Sequence, residues 1–205
     1  MADTRMLQDA VTDWATGGPP GPVRHLAEEL GVDTAVLLEG LSDLAAVEAL
    51  AVRHGRDLAA EGVWVVPMGG AMNISRYARL LGPPGLGLRL TGLCDEREKG
   101  FYERGLTRSQ AALTDLYVCS EDLEDELVRA LGAAEVVDIF RAEGELRAWQ
   151  SFQRQPAQQG RPRQQQMRRF LGTKKGRKIR YGRLLVEALA PDRTPPPLDG
   201  LLANL

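Results

Sequence analysis

Short apolar runs alternate with amphipathic segments along the first two thirds of the chain. The apolar runs, each typical of a buried strand, lie at 34–38, 62–67, 86–94 and 115–119. The amphipathic segments, with apolar residues three or four positions apart, lie at 42–54, 73–81 and 121–131. Ser42 is predicted to cap the first of these helices. Strands and helices that alternate in this way are typical of an α/β fold with a mostly parallel sheet and right-handed crossovers.

Beyond residue 133 the strand pattern stops and only helical spacing continues. Helical segments are predicted at 135–142, 144–153, 163–171 and 178–190. Two further helical segments, 5–15 and 24–30, precede the first strand and flank a run of glycine and proline. We therefore predict three parts, which are an N-terminal helical arm (1–32), an α/β domain (33–132) and a helical, basic C-terminal region packed on that domain (133–205).

Two of the predicted strands run directly into carboxylates. Glu39 and Asp43 follow the first strand, and Asp95 and Glu98 follow the third, where a charged, surface-like run begins. Ligands of open α/β sheets collect beyond the carboxyl ends of the strands, so these acids are expected to converge. Because the chain has only two histidines, a hard divalent cation such as Mg²⁺ or Mn²⁺ is the favoured occupant. The plainer alternative is that Asp43 caps a helix and Glu39 points to solvent.

Two further features could serve the same site. The acidic run 121–126 follows the fourth strand, and one member could complete a metal site, although the helix dipole alone explains most of this charge. Gly69 and Gly70, after the second strand, could present backbone N–H groups to a phosphate, with ordinary turn chemistry as the favoured alternative. The sequence holds no GxxxxGKS or GxxxxGKT motif, so a nucleotide-hydrolysing P-loop is not supported.

The net charge of −2 hides a strong separation of sign. The stretch 154–183 contains eleven Lys and Arg residues and no Asp or Glu, which leaves 15 of the 26 basic residues to balance all 28 acidic ones. Such a stretch is typical of a surface that neutralises phosphates, and the alternative is a solvated face that docks on the acidic body. The candidate nucleic-acid contacts are Arg161, Arg163, Arg168, Arg169, Lys174, Lys175, Arg177, Lys178 and Arg180.

The cysteines and the apolar runs of the sequence indicate the cellular compartment and the kind of metal to expect. Cys94 and Cys119 each end an apolar segment, which predicts a pair of buried thiols in a reducing compartment. Two cysteines and two histidines do not supply the usual zinc ligand sets, so zinc is not favoured. No apolar run approaches the roughly 18 to 20 residues of a membrane span, and the N-terminus lacks the apolar run of a secretory signal. A cytoplasmic protein without membrane contact is therefore expected.

Three motifs together resemble the TOPRIM domain, in particular that of the overcoming-lysogenisation-defect (OLD) family of nucleases. They run from Val36 to Asp43, from Val63 to Gly70 and from Gly92 to Asp95. The similarity extends into 122–127 and 174–181. The resemblance implies about four mostly parallel strands flanked by helices, with a C-terminal helical appendage and a site for one or two Mg²⁺ or Mn²⁺ ions.

The resemblance also implies roles for individual residues. Glu39 matches the glutamate after the first strand, Asp43 the second acid of that motif, and Asp95 the first aspartate of the DxD signature. Glu124 looks like the later acidic ligand of this nuclease branch, and Lys178 like its basic residue near the scissile phosphate. The implied metal ligands are Glu39, Asp43, Asp95, Glu98 and Glu124, and the implied catalytic residues are Glu39, Asp95 and Lys178.

Two departures from the family pattern bear on activity. Position 97 is arginine, which breaks the DxD signature and leaves Glu98 or Glu96 to substitute. OLD proteins ordinarily carry an N-terminal ATPase, whereas only the arm 1–32 precedes the first strand here. The expectation is a free-standing nuclease-like domain, or one that works with a separate ATPase partner.

The leading hypothesis is a Mg²⁺- or Mn²⁺-dependent DNA endonuclease or nickase that uses a two-metal mechanism. Contacts to the DNA backbone would give it little sequence preference, and a homodimer is one option. The first alternative is a catalytically silent nucleic-acid-binding or partner-docking module, in which Arg97 would replace one metal as a fixed cation. The second alternative is nucleotidyl transfer, or primer synthesis, on the same scaffold.

Overall fold

A computed structural model describes residues 2–83 and 85–205, so Met1 of the predicted arm lies outside the described residues. The strands are Thr34–Leu38 (β1), Val63–Pro67 (β2), Arg89–Asp95 (β3) and Leu116–Cys119 (β4). The helices up to the last strand are Ala2–Ala15 (α1), Gly21–Glu29 (α2), Leu41–Arg53 (α3), Ile74–Leu81 (α4) and Lys99–Ser109 (α5). Those that follow are Leu123–Leu131 (α6), Ala133–Ala142 (α7), Leu146–Gln153 (α8), Arg163–Leu171 (α9), Arg177–Ala188 (α10) and Pro196–Ala203 (α11).

The four strands form one parallel sheet in the order β2-β1-β3-β4. Leu38 at the end of β1 lies opposite Pro67 of β2, and Asp95 at the end of β3 lies opposite Cys119 of β4. The carboxyl ends of all four strands therefore meet at one edge of the sheet, where ligands of such folds collect. The predicted α/β fold with a largely parallel sheet is confirmed.

Both faces of the sheet are covered, because successive side chains of a strand point to opposite sides. In β1, Val36 and Leu38 enter a core shared with α3 and the C-terminal helices. Ala35 and Leu37 enter a second core, built with α1, α2, α4 and α5. The predicted N-terminal arm is thus packed against the sheet. Cys94 and Cys119 are free and buried, as the sequence predicts.

Two boundaries differ from the sequence predictions for local reasons. Gly40, and not Ser42, is the N-cap residue of α3, and its N–H donates a hydrogen bond to Asp43 Oδ2 over 2.9 Å. β3 begins at Arg89 and not at residue 86, because the preceding residues bond back to α4. Leu86 N–H donates to the Leu80 carbonyl over 2.8 Å, and the intervening Gly87 has a φ of +77°.

The charged run after Asp95 forms a helix, α5, that was predicted as surface only. Its buried face is made by Tyr102, Gly105 and Ser109, three or four residues apart. The Tyr102 hydroxyl donates to the Leu93 carbonyl over 3.2 Å, which joins the helix to the middle of β3. Exposed charges on the remaining face of α5 mask this period in the sequence.

The C-terminal helices pack around a cluster of aromatic side chains. Phe140, Trp149, Phe170 and Tyr181 are almost fully buried, with ring centroids 5.0 to 5.4 Å apart in the pairs that touch. Tilted and edge-to-face pairs of this kind add to the energy of burial. The cluster fixes α9 and α10, which carry most of the basic stretch, against the α/β core.

α10 approaches the start of α3 more closely than a side chain would allow. A Cβ atom at Gly182 would lie 2.6 Å from the backbone oxygen of Ser42. The glycine therefore permits direct contact between one helix and the backbone of the other. Lys178 lies one turn earlier on α10, so this contact brings it to the carboxyl edge of the sheet.

Candidate functional site

Acids from three elements and one lysine line a single pocket at the carboxyl edge of the sheet. Glu39 and Asp43 come from the β1–α3 junction, Asp95 ends β3, Glu124 lies in the first turn of α6, and Lys178 in the first turn of α10. The pocket has a volume of about 350 Å³. Residues up to 139 positions apart in the chain are thus brought together. The parallel topology places the acids that follow β1 and β3, and helix packing places Glu124 and Lys178.

Asp43 has two roles in the structure. Its Oδ2 accepts the hydrogen bond from Gly40 N–H, which is the capping role considered as the plainer alternative. The same side chain also lines the acidic pocket, together with Glu39. Capping and a place in the site are therefore compatible, and the cap fixes the direction of the Asp43 carboxylate.

Glu124 and Lys178 form the one ion pair recorded between residues lining this pocket in the described chain. The Lys178 ammonium donates to Glu124 Oε2 over 3.0 Å. Glu124 is 3% exposed, and its other oxygen, Oε1, is buried and has no hydrogen-bond partner among the described residues. Buried polar atoms are rarely left without a partner, so this oxygen is available to a water molecule or an ion.

The pKa values of Asp95, Asp43 and Glu39 in the pocket are raised, so these three carboxyl groups resist ionisation. Burial, reinforced by Asp122 and Glu39, raises the pKa of Asp95 to about 8. Burial, reinforced by Glu124, raises the pKa of Asp43 to about 7. The pKa of Glu39 is also raised, first by burial and then by the neighbouring charge of Glu98. A cation placed among these groups would favour their charged forms.

Lys178 is held in its charged form by these acids. Burial by itself lowers the pKa of its ammonium, but the charge and the hydrogen bond of Glu124, together with the charges of Asp122 and Asp43, outweigh burial, and the pKa is raised. Lys178 is thus a permanent positive charge at the rim of the acidic pocket.

The other acids near the start of α6 are occupied by structural contacts. Asp122 caps the helix by accepting the Asp125 N–H over 2.8 Å, and it also pairs with Arg168. Glu126 Oε1 accepts the Ser120 N–H over 2.8 Å. Glu124 is the member of this run that lines the pocket, and it is the member that the family resemblance implies as a ligand.

Three residues predicted for the site are less well placed to bind a metal ion or a phosphate. Glu98 is the residue before α5 and acts on the charge of Glu39, but it does not line the pocket. Gly69 and Gly70 do line it, but the Gly70 N–H donates to the Glu39 backbone oxygen over 2.8 Å. The Gly70 amide is therefore committed to the fold and is not a free phosphate donor.

The donor set suits a hard divalent cation. The candidate ligands are carboxylate oxygens, which Mg²⁺ and Mn²⁺ prefer, and Glu124, one of the carboxylates that line the pocket, has an oxygen without a hydrogen-bond partner. Across residues 2–83 and 85–205, no three His, Cys, Asp or Glu side chains already stand at metal-sharing distances. Binding would therefore require side-chain rotations that draw the carboxylates inward.

A larger, basic cleft adjoins the acidic pocket. It has a volume of about 730 Å³, and its cationic lining comes from Arg97, Arg161, Arg168, Arg169 and Lys178. Lys178 lines both cavities, so the cleft and the pocket meet at its side chain. The basic stretch predicted from the sequence thus leads directly to the acidic site.

The predicted nucleic-acid contacts differ in how available they are. Arg161, Arg163, Arg169, Lys174 and Lys175 are exposed.

Arg168 is partly buried and pairs with Asp122 and Glu121, and Arg180 pairs with Glu143 and Glu145. These two arginines are thus largely balanced by acids of the same chain.

Arg177 has a structural position that the sequence prediction did not anticipate. Its guanidinium is buried, donates to Glu145 Oε2 over 2.8 Å and lies 4.0 Å from the ring centre of Phe170. Glu145 also accepts from the Tyr181 hydroxyl over 3.2 Å. We therefore leave Arg177 out of the nucleic-acid surface, because its side chain fixes the turn that carries Lys178.

Comparison with known proteins bears directly on this site. Residues 32–96, which span β1 to β3 and include Glu39, Asp43 and Asp95, match the family model of the overcoming lysogenization defect protein-like TOPRIM domain. This part of the chain is similar to an OLD-like TOPRIM domain. The resemblance inferred from the sequence motifs is thereby confirmed.

Solved structures extend the likeness of this TOPRIM domain to the C-terminal helices. The C-terminal region of the Burkholderia pseudomallei OLD protein has a TM-score of 0.62 and 19% identity, over 84% of this chain and 96% of that one. The C-terminal region of the Xanthomonas campestris pv. campestris OLD protein has a TM-score of 0.62 and 23% identity, over 84% of this chain and 93% of that one. These likenesses concern the fold. No curated protein matches the chain.

The altered DxD position of the TOPRIM domain lies outside the acidic pocket. The Arg97 guanidinium pairs with Glu121 Oε2 over 2.9 Å and lines the basic cleft. The side chain is 73% exposed. Arg97 is therefore not placed as a fixed cation among Glu39, Asp43 and Asp95, which was the observation expected to favour a silent module.

None of the described helices combines the length and the apolar content needed to cross a bilayer.

Proposed function

We propose that this chain is a metal-dependent phosphodiesterase that acts on DNA. The observation that carries the proposal is the convergence of Glu39, Asp43, Asp95 and Glu124 on one pocket, with Lys178 at its rim. Carboxylates grouped in this way are suited to one or two Mg²⁺ or Mn²⁺ ions. The OLD-like TOPRIM match, a fold of nuclease and nucleotidyl-transfer type, supports the same reaction class.

Bound ions would supply an activated water and neutralise charge on the phosphate. The side chains of the chain have distinct parts in this scheme. Glu39 and Asp95, at the ends of β1 and β3, would hold the ions at the carboxyl edge. Asp43 and Glu124 would complete the oxygen ligands, with the direction of Asp43 set by its cap on Gly40.

Lys178 would stabilise the charge that develops on the phosphate in the transition state. Its position between the acidic pocket and the basic cleft supports this role, because the scissile phosphate would have to lie at that boundary. In the cleft, Arg161 and Arg169 would contact neighbouring phosphates of the strand. Backbone contacts of this type position DNA without reading its sequence.

The test is a nicking assay on supercoiled plasmid with Mn²⁺ or Mg²⁺. We expect conversion to the open-circular form, loss of that activity in EDTA, and a rate more than about 100-fold lower in Glu39→Gln and Asp95→Asn, since even an outer partner of a metal site is worth 10–100-fold. Glu103→Gln, an exposed carboxylate of α5, is the matched control. Undiminished nicking by either site variant would reject the proposed site.

A catalytically silent nucleic-acid-binding module is the second candidate. It is favoured by the absence of a ready metal-ligand cluster in the part of the chain that the structure describes. Calorimetric titration separates the two functions. Salt-sensitive DNA binding without any Mn²⁺ binding would support the silent module, whereas Mn²⁺ binding that is lost in Asp95→Asn supports the phosphodiesterase.

A further inference from the structure

We propose that Lys178 is a switch between the acidic pocket and the basic cleft. Glu124 holds its ammonium group when no divalent cation is bound, and a cation that takes the Glu124 carboxylate releases the ammonium into the cleft. This inference rests on the proposed function. It adds that loading of the pocket controls how strongly the cleft binds phosphate.

The position of Lys178 allows both states. Its side chain lines both cavities and is 44% exposed, whereas that of its partner Glu124 is 4% exposed. The buried carboxylate therefore stays in the pocket, where it can turn, and the long, flexible lysine is the partner that leaves. The lysine follows the loop 172–176 and begins α10, so a rotation of its side chain needs no change in the core.

The charges of the pocket make the two cations competitors. Among the residues that line it, four carboxylates face one ammonium group. A divalent cation bound by Glu39, Asp95 and the unpartnered Oε1 of Glu124 would repel the Lys178 ammonium and replace its attraction to Glu124. The ammonium would then gain more from a negative charge outside the pocket.

A phosphate bound in the basic cleft would supply that negative charge. Arg97 and Arg168 are balanced by Glu121 and Asp122. Arg161, by contrast, donates to the backbone oxygen of Ala157.

Arg169 is exposed and forms no ion pair with an acid of residues 2–83 and 85–205. A released Lys178 would join Arg161 and Arg169 as a third cation for the phosphate. Cation binding in the pocket and phosphate binding in the cleft would thus strengthen each other, and by thermodynamic linkage the effect is reciprocal.

The first test measures Mn²⁺ affinity by calorimetry without nucleic acid. Lys178→Met removes the internal competitor, so this variant should bind Mn²⁺ about five- to tenfold more tightly than the wild type, within the usual range of coupling between sites. Lys175→Met removes one positive charge from the same loop but leaves the Glu124 pair intact. Because exposed charges are screened, it should change the affinity by less than about twofold.

The second test measures binding of a fluorescent single-stranded DNA oligonucleotide in EDTA. Glu124→Gln frees Lys178 without metal and should strengthen binding about fivefold. In the Lys178→Met background the same substitution should give a much smaller gain, because no ammonium is left to release. Circular dichroism of each variant checks that it is folded, and the double-mutant cycle isolates the pairwise effect.

The outcomes separate the switch from the proposed function. Equal Mn²⁺ affinity in the wild type and Lys178→Met, or an equal effect of Glu124→Gln with and without Lys178, would overturn the switch alone. Failure of Mn²⁺ to bind either protein would overturn the proposed function, and the switch with it. Tighter Mn²⁺ binding in Lys178→Met together with a Lys178-dependent gain in DNA binding supports both.

Discussion

Replacing Gly182 by alanine tests whether the contact between α10 and α3 sets the position of Lys178. The new Cβ atom would lie 2.6 Å from the Ser42 backbone oxygen, whereas ordinary contacts begin at 3.4 Å. The start of α10 must therefore move away by about 0.8 Å, since a backbone atom cannot rotate aside. Lys178, one turn earlier on the same helix, would move with it.

The magnitude of each effect follows from that displacement. Overpacking of this kind costs about 1–3 kcal/mol of stability, partly offset by about 1 kcal/mol because alanine favours a helix over glycine. A shift approaching 1 Å at a catalytic group lowers the rate by up to about 100-fold. We expect Gly182→Ala to remain folded, with a modestly lower urea midpoint and a plasmid-nicking rate at least about tenfold below that of the wild type.

Gly105→Ala is the matched control. The added Cβ would lie 2.4 Å from Ile74 Cγ2, in the contact between α5 and α4 and in the second core. It should lower stability by a similar amount while the nicking rate at saturating metal stays near that of the wild type. Full activity in Gly182→Ala, with stability lowered as in the control, would refute the claim that this helix contact positions Lys178.

Three further predictions concern the charges of the site. Because the folded-state pKa values of Asp43 and Asp95 lie at about 7 and 8, above the unfolded value of 3.8, metal-free stability should fall as the pH rises from about 4 and level off above about 8, and Mn²⁺ affinity should rise over the same range. Thermal melts and calorimetry at pH 6 and 9 measure both, and pH-independent Mn²⁺ affinity would contradict it. Glu145→Gln leaves the buried Arg177 unbalanced and should lower the free energy of unfolding by about 3 kcal/mol in urea titrations, so an unchanged midpoint would count against that anchor. Arg169→Ala should weaken DNA binding and reduce the slope of log affinity against log salt by about 1, and an unchanged slope would remove it from the cleft contacts.

The positions of the acids at the carboxyl edge of the sheet were predictable, because the carboxyl ends of parallel strands all lie at the same edge. Once 34–38 and 86–94 are recognised as neighbouring buried strands, Glu39 and Asp95 must lie at the same edge. The structure places Glu39 and Asp95 around one pocket, as that topology requires. Glu124 was selected through the family resemblance, since the neighbouring carboxylates of its run are equally acidic in the sequence.

The partners of the charged side chains were not predictable, because they depend on how distant helices pack. Lys178 and Glu124 are 54 residues apart and meet where α10 packs against α6. Arg177 is one residue away from Lys178 yet is buried against Glu145. In the sequence, both are basic residues at the start of one predicted helix, so nothing local shows which of them is buried. The packing of α10 decides this.

Glycine positions illustrate the same limit. Gly70 was a candidate phosphate donor, but its N–H is bound to the backbone oxygen of Glu39, which is 31 residues earlier in the chain. Gly105 lies in the helix that the sequence did not reveal, where it allows α5 to approach α4. In each case the glycine serves a contact between elements, and such contacts leave no local pattern.

The most direct test of the central claim is the anomalous scattering of crystals grown with Mn²⁺. We predict a peak in the acidic pocket at about 2.2 Å from carboxylate oxygens of Glu39 and Asp95, within the range of hard-cation bonds to oxygen. Glu124 is expected to turn an oxygen towards that peak, with the Lys178 ammonium displaced towards the basic cleft. A peak elsewhere on the molecule, with these carboxylates unmoved at saturating Mn²⁺, would contradict the account.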